Sequence, residues 1–280
     1  ITCTELQALQ QSAAPLLIVD CTADLMNPAA GLRQFLDAHI HGATHADLDH
    51  DLSAHGVADA VSGGRHPLPR REVFAHWLRQ IGLRTDTQVV VYDRNGLNFC
   101  GRLWWMLKWA GHEAVAVLDG GLAAWTAAGG AVESGPAIPR TPSNWTLQSP
   151  LRTLVSADEV LAHLDQPDQT LIDARAAPRY RGEVEPQDPV AGHIPGALNR
   201  PFGLNLDEQG RFKPAATLRA EFEALLAGRD TGSVVHQCGS GVSAVPNLLA
   251  MEVAGYAPTR LFAGSWSEWC RDPSRPVAKG

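Results

Sequence analysis

The stretch Ser233-Val234-Val235-His236-Gln237-Cys238-Gly239-Ser240-Gly241-Val242-Ser243-Ala244-Val245-Pro246 sets one thiol where a nucleophile would stand. Val234 and Val235 read as a short buried strand, and the two glycines free the backbone after it. The apolar run from Val242 to Val253 predicts a helix, with Pro246 in the first turn, where a proline costs no hydrogen bond. Cys238 therefore falls at the C-terminal end of a parallel strand, just ahead of a helix. Open α/β sheets bind ligands at that edge. A loop of small residues there can turn successive N–H groups inward, and the helix dipole adds partial positive charge. Those surroundings favour a thiolate, and with it nucleophilic cysteine chemistry. The plainer alternative, a small apolar residue closing a strand, leaves the Gly-Ser-Gly loop without a purpose.

Two familiar chemistries fail on the residues. A cysteine phosphatase needs an arginine six positions after the nucleophile to fork onto phosphate, but position 244 is Ala and no Arg occurs from 239 through 259. A serine-hydrolase elbow centred on Ser240 needs Gly at 238, where Cys stands. A tight loop with no cation of its own suits a nucleophile that accepts a single atom while residues elsewhere hold the substrate's charge.

The elements that must carry this loop are written twice. Ile18-Val19-Asp20 returns as Leu171-Ile172-Asp173, and His39-Ile40-His41-Gly42-Ala43 as His193-Ile194-Pro195-Gly196-Ala197. Val89 to Asp93 pairs with Ser233 to Cys238, and Gly120-Gly121 through Trp125 with Gly264-Ser265 through Trp269. The spacing between partners drops from about 153 to about 145 along the copies, so the first carries about eight extra residues between Ala43 and Val89. The proline-rich Gly135 to Pro142 reads as a linker. The expected division is 1–134, a linker over 135–150, and 151–280. Apolar runs at 89–92 and 114–118 around a helix-like 100–110 indicate parallel α/β units. Ser156-Ala157-Asp158-Glu159 is a capping box that should start a helix, and another should run from about Leu218 to Leu226.

The chain of 280 residues is 45% apolar and 19% charged, enough to bury two ordinary cores. Lys and Arg number 23 against 30 Asp and Glu; the net charge of −7 offers no field for nucleic acid or an anionic membrane surface. Every apolar stretch is broken before about 18 residues, so no membrane span is expected. Five widely spaced cysteines without a C-x-x-C pair suggest a reducing, cytoplasmic setting rather than a disulfide framework or zinc site.

Three segments carry a resemblance: Cys238 to Ala244, Gly192-His193-Ile194-Pro195-Gly196-Ala197, and Gly264-Ser265-Trp266-Ser267-Glu268-Trp269. Together with the duplication, they resemble the rhodanese superfamily, on its mercaptopyruvate-using branch. Members that prefer thiosulfate carry Arg-Lys where this chain has Gly239-Ser240. The resemblance implies an α/β fold of two tandem rhodanese-like domains, each a parallel sheet flanked by helices. It implies that Cys238 takes sulfur from 3-mercaptopyruvate, releases pyruvate and passes the sulfur from a persulfide to a thioredoxin-like protein, a small thiol or cyanide, with no metal or cofactor; a monomer is expected.

For the substrate, the resemblance implies the loop residues Gly239, Gly241, Val242 and Ser243, and Arg179 on the carboxylate. A second family arginine falls at Gln187, a departure for which Arg181 would compensate. From the first copy it implies His66 acting on Ser240, with Asp49 fixing the imidazole tautomer and Asp47, two residues away, as the alternative. The first copy has Asp93 in place of the cysteine and cannot run the same chemistry. His39-x-His41 has chelating spacing but belongs to the repeated turn, and Trp104, Trp105 and Trp109 are expected in packed interiors. The competing readings are a thiosulfate sulfurtransferase and a non-catalytic rhodanese-like sulfur carrier or binding module.

Overall fold

The computed structural model describes residues 1–280. The chain forms two compact units, one from Ile1–Asp59, Pro69–Leu151 and Glu208–Arg211, the other from Ala60–Leu68, Arg152–Asp207 and Phe212–Gly280. Most of the chain changes unit at 151/152, the end of the stretch read as a linker, while Ala60–Leu68 and Glu208–Arg211 are exchanged between the units. The stretch read as a linker folds onto the first unit: Trp145 is buried, Ser143 N–H donates to Arg79 O at 2.9 Å, and Gln148 N–H to Ala110 O at 3.1 Å.

In the first unit a four-stranded parallel sheet runs in the order Thr44–His45, Leu16–Asp20, Gln88–Tyr92, Val115–Val117. The helices Cys3–Gln11, Arg71–Gln80, Cys100–Trp109 and Gly121–Ala127 accompany it. Phe35, Tyr92 and Trp125 fill its core, and Trp104, Trp105 and Trp109 are all buried.

The second unit repeats this order with Leu198–Asn199, Thr170–Asp173, Val234–Gln237 and Arg260–Leu261. Strand side chains alternate between faces, and both faces here are covered. Leu171 and Val235 pack with Phe262, Trp266 and Trp269, while Ile172 and Val234 pack with Leu218, Phe222 and Met251. Burial on both faces is why Leu171-Ile172 and Val234-Val235 are consecutive apolar residues rather than alternating ones.

The helix at the capping box spans Ala157–Ala162, with Glu159 N–H donating to Ser156 Oγ at 3.2 Å and Ser156 N–H to Glu159 Oε2 at 2.7 Å. The helix expected over Leu218–Leu226 spans Ala215–Leu226, longer at its start than the periodicity predicts. The repeated turn also pairs alike in each copy. His39–Ile40 runs antiparallel to Val132–Glu133, and His193 bridges Ala278 in the same sense.

The first copy's extra residues supply the segment Ala60–Leu68, which belongs to the second unit. It closes on itself through Val61 N–H to Leu68 O at 2.8 Å and Leu68 N–H to Ser62 Oγ at 2.9 Å. Gly64, at φ +90°, lets it lie against the helix Ser265–Trp269: a Cβ there would come within 2.4 Å of Ser267 Oγ and 2.8 Å of Gly264 O.

Candidate active site

Cys238 follows the strand Val234–Gln237 directly and is 2% exposed. Its loop is fixed from the backbone up. Cys238 N–H donates to Ser265 Oγ at 3.0 Å, and that hydroxyl donates to Phe262 O at 3.0 Å. The carbonyls of Cys238 and Gly239 accept from Trp266 N–H at 3.0 Å and Ser267 N–H at 2.8 Å. Ser265 holds a left-handed backbone at φ +53°, costly for a residue with a Cβ and held here by the two bonds of its hydroxyl. Gly241 has φ +76°, and a Cβ on it would meet Ala263 O at 2.0 Å, so only glycine closes this turn. The helix after the loop begins at Val245, with Pro246 in its first turn, not at Val242. Residues 239–244 form the loop before the helical ladder can start.

In the first unit the amides of the matching loop turn inward onto the side chain at the equivalent position. Asp93 accepts from the N–H groups of Asn95, Leu97, Phe99 and Cys100 at 2.8 to 3.0 Å. Burial pushes its carboxyl up, and these four amides oppose the shift. A carboxyl held by the loop's amides thus begins this loop where the second copy has a thiol.

His66 lies in the segment Ala60–Leu68, and its Nδ1 is 2.7 Å from Ser240 Oγ, both groups being nearly buried. Ser240 is two residues past the nucleophile, so the hydroxyl and imidazole form a hydrogen-bonded pair beside the thiol's loop. Asp47 and Asp49 belong to the first unit. Asp47 Oδ1 accepts from the N–H groups of Asp49 at 2.8 Å and His50 at 2.9 Å. Burial opposes its charge, but these bonds and the His50 ring outweigh that and hold the carboxyl below its ordinary value. Asp47 is thus a turn lock. Burial, then the neighbouring Asp47 charge, pushes the Asp49 carboxyl up.

Around the loop lies a network of arginines and acids. Arg179 forks onto Glu185 through Nη2 at 2.6 Å and Nε at 3.2 Å, and reaches Asp188 at 3.7 Å. Arg175 pairs with Asp173 at 2.7 Å and Glu185 at 3.3 Å, over the Trp266 ring. Arg65 donates through Nη2 to Gln187 Oε1 at 2.8 Å and pairs with Asp188. Arg181, expected to compensate for Gln187, is paired elsewhere. Its guanidinium forks onto Glu183 at 2.7 and 3.0 Å on the surface, a local pair two residues apart.

Arg65 carries no sequence signal of its own, and Ser265, though inside the repeated Gly264–Trp269 segment, does not show there as a partner of Cys238. For Arg65 the traces are indirect: the surplus of residues in the first copy and the missing arginine at 187. The histidines with chelating spacing are otherwise engaged: His39 Nδ1 donates to Phe35 O and His41 Nδ1 meets Glu133 Oε2, each at 2.7 Å.

The family model for rhodanese-like domains matches residues 2–128 and again 156–272. The chain belongs to the rhodanese family. Among its relatives, the probable 3-mercaptopyruvate sulfurtransferase of Pseudomonas aeruginosa is 49% identical over 274 residues, 98% of this chain and 95% of that protein. The putative thiosulfate sulfurtransferase SseB of Mycobacterium tuberculosis is 41% identical over 287 residues, 100% of this chain and 96% of the other. The fold is similar to that of the 3-mercaptopyruvate sulfurtransferase from Leishmania major, with a TM-score of 0.82 and 31% identity over 97% of this rhodanese chain and 74% of that one.

Proposed function

We propose that this rhodanese-family chain is a sulfurtransferase that takes sulfur from 3-mercaptopyruvate through Cys238. The observation that carries the reading is Cys238 in a neutral Gly-Ser-Gly loop, with Ser240 hydrogen-bonded to His66 beside it. The relative with the highest identity given above bears the matching name.

Cys238 thiolate attacks the donor's sulfur, forming the S–S bond as the bond from that sulfur to the methylene carbon breaks. The electron pair passes to carbon as the enolate of pyruvate. The proton leaving the donor thiol travels by Ser240 and His66 to that carbon, so pyruvate departs and the persulfide keeps the negative charge. An acceptor thiol then takes the outer sulfur, leaving its own persulfide and regenerating the Cys238 thiolate. We read the acceptor as a thiol or cyanide. The protein is read as a monomer in a reducing, cytoplasmic compartment, which its five free cysteines favour. No helix is long and apolar enough to cross a membrane.

The test is intact mass after addition of mercaptopyruvate. A gain of one sulfur at Cys238 with release of one pyruvate is expected, and Cys238→Ser abolishes both. Pyruvate release that survives in that variant defeats the reading.

Thiosulfate as donor is the second reading. It is favoured by the name of the mycobacterial relative and by the guanidiniums of Arg65 and Arg179 near the loop. The ratio of kcat/KM for the two donors decides, and mercaptopyruvate should exceed thiosulfate at least tenfold if the neutral loop governs choice.

A further inference from the structure

The segment Ala60–Leu68 brings more than His66 to the loop. Arg65 N–H donates to Ser267 Oγ at 3.1 Å, which anchors its backbone beside the residue whose own N–H holds the Gly239 carbonyl. From there its guanidinium reaches across Gly239. A Cβ at position 239 would lie 2.9 Å from Arg65 Nη2, and 3.5 and 3.6 Å from the two terminal nitrogens of Arg179. Two guanidiniums thus stand over the residue that follows the nucleophile, and the missing side chain is what admits them.

The acids behind these arginines are more deeply placed than the arginines. The side chains of Asp188 and Glu185 are 1% and 3% exposed, those of Arg65 and Arg179 21% and 19%. Buried carboxylates therefore hold both guanidiniums, while part of each arginine side chain remains accessible to solvent. A guanidinium carries five N–H donors, and the bonds of Arg65 to Gln187 and Asp188 do not exhaust them. Gln187, where a second arginine is expected, serves as an acceptor that orients Arg65.

We propose that Arg65 is the second carboxylate-binding arginine of the site, acting with Arg179 on the donor's carboxylate and α-keto oxygen. It fills from another segment of the chain the role that position 187 has lost. This rests on the sulfurtransferase reading for its natural ligand, but the receptor for a small carboxylate beside Cys238 can be tested without it.

The first arm measures turnover. Arg65→Gln should raise KM for mercaptopyruvate tenfold or more while kcat stays within about threefold, because an interaction shared by bound substrate and transition state is lost. Gln187→Arg added to Arg65→Gln should bring KM back to within about threefold of the parent. Arg65→Lys retains the charge that Asp188 faces but not the planar fork, and should give an intermediate KM.

The second arm needs no donor at all. Iodoacetate and iodoacetamide alkylate the same thiol and differ by one carboxylate, so their rate ratio at Cys238, read by peptide mass, reports the receptor. Arg65→Gln should lower that ratio at least fivefold, with Arg65→Lys falling between.

Should no donor turn over in the parent enzyme, the sulfurtransferase reading fails, while the alkylation ratio still decides for or against Arg65. An unchanged ratio with unchanged KM in both variants overturns the proposal. So does a parallel fall in kcat and thermal stability at constant KM, which would make Arg65 merely a tie between Ser267 and Asp188.

Discussion

The Ser240–His66 pair is the smallest unit on which the proposed chemistry turns. A hydroxyl and an imidazole 2.7 Å apart can pass a proton only as a couple, so their contributions should not add. Ser240→Ala is expected to lower the rate of pyruvate release about a hundredfold, the scale of positioned proton transfer. His66→Ala should do the same, and the double variant should be no worse than either single. A product of the two losses in the double variant would mean the residues act separately. Asp49→Asn tests the expectation that an acid sets the His66 tautomer: a displaced pH profile of kcat supports it, and an unmoved one removes Asp49 from the mechanism. Two residues before the nucleophile, His236 makes a different demand. It is fully buried, neither ring nitrogen has a partner, and burial pulls its pKa down from 6.5 to about 3. The unfolded chain therefore binds a proton that the folded chain refuses. The resulting stability is whole above pH 6.5, declines as the pH falls, and is gone below about 3, at up to about 1.4 kcal/mol per unit. Urea titrations at pH 7 and 4.5 should show the parent losing on the order of 2 kcal/mol more than His236→Leu across that interval. Equal losses would show that other groups govern acid sensitivity.

At the scale of elements, the nucleophile loop and the segment Ala60–Leu68 are built as one device. Gly64→Ala puts a Cβ against Ser267 Oγ and Gly264 O in a backbone region hostile to side chains. The segment must shift, and His66 with it. We expect kcat/KM to fall tenfold or more for a stability loss of only about 1–3 kcal/mol. Full activity alongside the same loss of stability would show that the segment does not position His66. This device also marks where the sequence ceased to be readable. Gln88–Tyr92, Cys100–Trp109 and the Ser156 cap lie where periodicity and local hydrogen bonding predict them, because strands and caps are encoded by near neighbours. Arg181 was the nearer candidate to replace the arginine missing at 187, yet Glu183 holds it through a pairing that hydropathy does not reveal. Arg65 sits in a Gly-Gly-Arg-His-Pro run with no period, so nothing local says which unit it joins. The surplus length of the first copy located an insertion, and the resemblance set His66 on Ser240, but neither said what Arg65 touches.

For the molecule as a whole, the exchange of segments predicts that catalysis in one unit depends on the folding of the other. The chain passes between units at 59/60, 68/69, 151/152, 207/208 and 211/212, so Arg65 and His66 are held at both ends by chain of the first unit. Melting of that unit would leave Ala60–Leu68 joined to the rest of the second unit only through a long flexible loop, whose closure has an entropic cost that a folded unit spares. Phe74 offers the test. It is 1% exposed in the helix Arg71–Gln80, within the first unit and without a role in the chemistry proposed for Cys238. Phe74→Ala should destabilise the first unit by about 3–5 kcal/mol. If the units are coupled through the shared segment, the temperature at which sulfur transfer is lost falls with it, although the nucleophile's own core is intact. A scan that follows activity and tryptophan fluorescence together would show both declining in one step. Activity that outlasts the first unit's transition would mean that the segment keeps its place without its tethers, and that the second unit is a self-sufficient catalyst once Ala60–Leu68 is docked.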